Sequence, residues 1–136
     1  MARTALKVVL AVFGALVLFT AINRAFGGIA TLGWQGPTDF FAVNDAPGFA
    51  IHDSHTRFLG GVWAAVGLAF LAASIWLDRL RPVLLFLCAA IFVGGLARFS
   101  SPDIAVLFGP GVAVSLALEI LLMPLLAFWL LRDQRH

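Results

Sequence analysis

The densest cluster of ionisable side chains in the sequence is His52-Asp53-Ser54-His55-Thr56-Arg57. On a helix His52 and His55, at i and i+3, share a face, and imidazoles so spaced can ligate zinc or copper. No third ligand stands close by. The commoner use of such a cluster is at a helix start, where Asp53 or Ser54 accepts hydrogen bonds from the first free amides. No metal is therefore expected, and His52 and His55 are only weak candidates. Two further residues bear charge within apolar surroundings. Arg98 closes Gly94-Gly95-Leu96-Ala97-Arg98-Phe99, a near reflection of Arg57-Phe58-Leu59-Gly60-Gly61. Glu119 lies inside the run from Val112 to Leu131, with Ser115 one turn before it on the same helical face. An isolated carboxylate in hydrocarbon is costly, so Glu119 is either paired or protonated. Arg98 is the expected partner, with Arg57 close enough to share the carboxylate.

Two chemistries fit this constellation. One is a buried ion pair that fixes helix register. The other is a ligand-binding or proton-titrating carboxylate in an outward-facing polar pocket formed by Arg57, Arg98, Glu119, Ser115, Asp53 and His55. The sequence contains no nucleophile elbow, phosphate loop or haem motif, so no catalytic residue and no cofactor is assigned. Cys88, the single cysteine, lies in an apolar run and reads as a small buried hydrophobe.

The elements that must position these residues follow from composition. Of 136 residues, 62% are hydrophobic and 12% charged, where soluble domains run nearer half and a quarter. The class is an all-α integral membrane protein, a four-helix transmembrane bundle in a single domain. The nine Lys and Arg residues are scattered and net charge is +2, which excludes nucleic acid as a partner. The spans are expected near residues 7–23, 57–77, 82–99 and 111–131. The first run, Val8 to Ile22, is long for a signal peptide and lacks a small-x-small cleavage site, so it reads as a retained helix. Asp78-Arg79-Leu80-Arg81-Pro82 reads as a tight connection, with Pro82 in the first turn of the third span. That leaves the third run short, about 22 Å from Val83 to Ala97, and draws Arg98 below the interface.

The connection over residues 24–56 is rich in glycine and proline yet apolar, as expected of a segment on the outer membrane interface. Thr38 or Asp39 is placed to cap a short helix through Phe40, Phe41 and Val43, and Trp34 suits the headgroup level. Gly60, Gly61, Ala64, Gly94 and Gly95 are the small residues expected at helix contacts. Arg3, Lys7, Arg79, Arg81, Arg132 and Arg135 fall on one side of the spans and Arg24, Arg57 and Arg98 on the other. That bias places both termini in the cytoplasm.

Three blocks carry a resemblance: Asp53-Ser54-His55-x-Arg57-Phe58-Leu59-x-Gly61, then Val93-Gly94-Gly95-Leu96-Ala97-Arg98, then Ala117-Leu118-Glu119 with Pro124-Leu125-Leu126 and Trp129. In this order they resemble the domain of unknown function forty-three forty-five, a family of small bacterial four-span membrane proteins. The resemblance runs from about Asp53 to Trp129. It implies a four-helix bacterial membrane domain with Arg57, Arg98 and Glu119 at motif positions, and it implies no reaction. The sequence therefore points to an uncharacterised protein of the bacterial inner membrane, leaning away from an enzyme. It would be a non-catalytic component packing against other membrane proteins or itself in the lipid bilayer. The alternative is an enzyme or carrier handling a small, partly apolar substrate in the pocket around Arg57, Arg98 and Glu119.

Overall fold

The computed structural model describes residues 2–31 and 45–133. Four long helices carry the fold: α1 Ala2–Gly27, α2 Ala46–Ile75, α3 Leu77–Ala97 and α4 Ala113–Asp133. No strand occurs among the described residues. Single-turn 3-10 segments follow α1 at Gly28–Thr31 and α3 at Arg98–Ser100, and another spans Ile104–Phe108.

All four helices are long and apolar enough to cross a membrane. Their surfaces agree with that reading. Val8, Val12, Leu16, Phe19, Ile22 and Phe26 recur every three or four residues along α1, and all are exposed. Val114, Leu118, Leu121, Leu125 and Phe128 do the same on α4. Continuous apolar stripes of this kind are not left facing water, whereas a bilayer solvates them.

The chain divides into two compact units, Lys7–Trp76 and Met1–Leu6 with Leu77–His136. In the first, glycines bring α1 and α2 to backbone contact. A Cβ on Gly67 would lie 2.7 Å from the Leu18 amide nitrogen, and one on Gly60 would lie 2.8 Å from the Ala25 Cα. No larger residue fits either place, which is how small residues drive helix packing in lipid. Phe13 meets Phe70 edge to face, with ring centroids 4.9 Å apart. In the second unit α3 packs against α4, and Leu84, Cys88 and Ile91 are buried on α3 as are Leu116, Met123, Leu126 and Leu130 on α4.

Three expectations need correction. The second helix begins at Ala46 rather than near Arg57, because Pro47 sits in its first turn, where its missing N–H is no loss. The motif from His52 to Arg57 therefore lies inside a helix. The third helix begins at Leu77, and the connection before it is Trp76 alone. Pro82 accordingly falls inside α3. With 21 residues, α3 is about 31 Å long, so the shortness of the third run disappears. The short helix near Phe40, its Thr38 or Asp39 cap and the placement of Trp34 fall at residues 32–44, outside the described residues.

Candidate functional site

Glu119 sits where α4 loses its regular register. Leu118–Leu122 form a turn of π-helix, in which the Met123 amide reaches back to the Leu118 carbonyl. The cause stands one residue on. Pro124 has no N–H, and its ring would clash with the carbonyl four residues before it, so the backbone opens by one residue. On α3, Gly95 clears the facing surface: a Cβ there would lie 2.8 Å from the Glu119 Cβ and 3.3 Å from Oε2.

Into this gap Arg98, just past the end of α3, extends its guanidinium. Its Nε donates to Glu119 Oε2 at 2.6 Å and its Nη2 to Oε1 at 2.7 Å. The paired fork is the strongest geometry open to an arginine and a carboxylate. The partners differ in exposure: the Glu119 side chain keeps 13% of its surface and that of Arg98 38%. Ser115 does not join them through a hydrogen bond, since its hydroxyl donates to the Val112 carbonyl at 2.8 Å.

Arg57 is engaged within its own unit. Its Nε donates to Asp53 Oδ2 at 2.6 Å, one turn earlier on α2, and its Nη1 donates to the Phe26 carbonyl at the end of α1. A cation at a helix C-terminus satisfies an orphan carbonyl and the negative end of the dipole. Asp53 does not cap α2. It lies within that helix and accepts from the Ile29 amide at 2.8 Å. Gly28 makes this clamp possible, for its φ of 72° is left-handed and a Cβ there would fall on Asp53 Oδ1. Gly28→Ala is therefore expected to destabilise the protein by about 1–3 kcal/mol, through backbone strain and loss of the clamp. Thermal unfolding in detergent measures it, and an unchanged midpoint would refute the clamp.

A further ion cluster, absent from the sequence reading, closes the opposite end of the α3–α4 unit. Arg81 donates to the Leu130 carbonyl, to Asp133 Oδ2 at 2.9 Å and to Asp78 Oδ1 at 3.1 Å. Arg3 pairs with Asp78 and stands 3.6 Å from Asp133. The signal in the sequence is the i, i+3 spacing of Asp78 and Arg81.

His52 and His55 are exposed on α2, and no group of three potential metal ligands forms among the described residues. The small residues divide. Gly60 and Gly95 are packed from within the protein, while a Cβ on Gly61 or Gly94 would meet nothing within 4 Å among the described residues. Ala64 is half-buried.

The family described as "Domain of unknown function (DUF4345)" matches residues 5–130. No curated protein and no solved structure matches the chain.

Proposed function

The chain belongs to that family of unknown function, and from this premise we propose a non-catalytic membrane component that packs against other membrane proteins or a second copy of itself. The observation that carries this reading is the pair of open glycines. A Cβ built on Gly61 of α2 or on Gly94 of α3 would meet nothing within 4 Å among the described residues, which leaves a shallow place at each. Ala65 next to the first, and Ala90 and Ala97 next to the second, are exposed. Small residues on a lipid-facing surface let a foreign helix come close and gain dispersion contacts that lipid tails do not supply as well. The rival reading, an enzyme or carrier built around Arg57, Arg98 and Glu119, is less well supported. The clamp on Asp53 and Phe26 already gives Arg57 a structural duty.

The open glycines make the test clean. At Gly94 a Cβ would meet nothing within 4 Å among the described residues, so Gly94→Leu is expected to match wild type in fold and melting temperature. Any partner seated there is lost. Gly95→Leu, one residue on, strikes Glu119 and disrupts the fold. Purification in nanodiscs with mass spectrometry of co-purifying proteins and of oligomeric state reads the difference. If wild type yields only lipid and monomer, the packing role is refuted.

The same reading takes the protein for one of the bacterial inner membrane, as the family resemblance implies, with both termini cytoplasmic, which the sequence bias of Arg3, Lys7, Arg79, Arg81, Arg132 and Arg135 against Arg24, Arg57 and Arg98 supports. Reporter fusions at Gly48 and His136 are expected on opposite sides of the membrane. Finding both on one side would overturn the topology.

A further inference from the structure

Arg81 and Arg98 stand at the two ends of α3 and are used differently. Arg81, with 4% of its side-chain surface exposed, is surrounded by three acceptors. Arg98 has a single carboxylate, which occupies Nε and Nη2. Its Nη1 donates to nothing among the described residues. Nor is it sealed away, since no buried side-chain nitrogen or oxygen among those residues lacks a partner. A guanidinium carries five N–H donors and strongly prefers to fill them.

The depth of Arg98 says what is at hand to fill them. From Arg81 to Arg98 the helix axis advances about 25 Å, against a hydrocarbon core of about 30 Å. With the Arg81 cluster at one boundary, Arg98 lies near the other, at the level of lipid glycerol and phosphate groups. The chain beyond it carries Phe99, Ile104, Val106 and Phe108 exposed on two 3-10 segments. Such residues settle into the acyl boundary and hold the segment at that level.

We propose that Arg98 seats the phosphate of a membrane phospholipid through Nη1, with the apolar side chains of Phe99, Ile104, Val106 and Phe108 in contact with its acyl chains. Glu119 holds the guanidinium plane by its other edge, so the free edge is presented in a fixed direction. Phosphate accepts from such an edge through two oxygens at once, which favours it over water. The site is independent of any protein partner.

Native mass spectrometry tests this on the full chain released from nanodiscs of phosphatidylglycerol. Wild type is expected to retain a phospholipid under activation that strips bulk lipid, and to lose retention when diacylglycerol, which lacks phosphate, replaces it. Arg98→Lys keeps a charge for Glu119 but removes the planar fork, and is expected to lose the bound lipid. The double variant Arg98→Leu/Glu119→Leu replaces the pair by apolar side chains, an exchange that folds tolerate well, and is expected to lose it too. Equal retention of diacylglycerol, or undiminished retention by folded Arg98→Lys, overturns the proposal. Displacement of the lipid by millimolar inorganic phosphate also overturns it, because the occupant would then be a soluble anion.

Discussion

Arg81→Ala is expected to destabilise the protein by about 3–5 kcal/mol, the range seen when one partner of a buried ion pair is removed. Its guanidinium is buried and holds three groups together: the Leu130 carbonyl at the end of α4, Asp133 and Asp78. Without it the Leu130 carbonyl becomes an orphan helix end. Asp133, whose side chain keeps only 10% of its surface, is left with Arg3 at 3.6 Å. Arg81→Lys is expected to recover part of the loss, because an ammonium supplies the charge but not the planar fork that reaches several acceptors. Arg79→Ala provides the comparison. Arg79 is exposed, and a surface change of this kind stays within about 0.5 kcal/mol. Unfolding by titration with sodium dodecyl sulfate compares the three. If Arg81→Ala unfolds with Arg79→Ala, the cluster does not hold α3 to α4.

Arg81 is legible in the sequence as a charge but not as a clamp. The bias of basic residues near span ends is a property of many charges and ignores where each side chain points. It gives the acids beside them, Asp78 and Asp133, no role. Yet helix ends in a bilayer leave carbonyls that must find donors, and no water reaches the inner ones. Arg57 on Phe26 and Arg81 on Leu130 answer that need, and the Lys7 ammonium donates to the Ile75 carbonyl at 3.4 Å in the same way. Asking which cation lies one helix away from each C-terminus would have singled these residues out.

The apolar runs made the all-α class and the four long helices legible, because twenty-residue hydrophobic stretches have few other uses. Helix starts were harder. Pro47 and Gly48 read as breakers, but at a first turn proline is favoured and a nearby glycine is tolerated. Pro82 reads as a helix start and lies inside α3. Pro124 falls within the fourth span. A proline in mid-helix must disturb the ladder upstream, and here the disturbance is the π turn that contains Glu119. Gly28 was invisible for a different reason. A left-handed φ is set by the meeting of α1 with Asp53 and Arg57, and local sequence does not contain that meeting.

Arg98→Ala and Glu119→Gln are expected to differ, and the order of their effects separates structural from functional use of the pair. Arg98→Ala leaves Glu119 in a largely enclosed place with no cation. Because Arg98 is itself 38% exposed, the loss is expected at about 2–3 kcal/mol, below the range for a fully buried pair. Glu119→Gln keeps the shape of the acceptor. One of the two hydrogen bonds survives, since the amide oxygen still accepts while the amide nitrogen opposes an N–H. Arg98 keeps its charge, but its exposed edge reaches the interface and is solvated there. The expected loss is about 1 kcal/mol. Unfolding midpoints in the same detergent read both. A greater loss in Glu119→Gln than in Arg98→Ala would overturn this order and make the unpaired Arg98 guanidinium, not the enclosed carboxylate, the costly member of the broken pair. Should a transport or binding activity be found, Glu119→Gln gives the sharper result. A variant that folds as wild type and has lost that activity assigns the carboxylate to the ligand, and one that folds and works assigns it to holding α4 against α3.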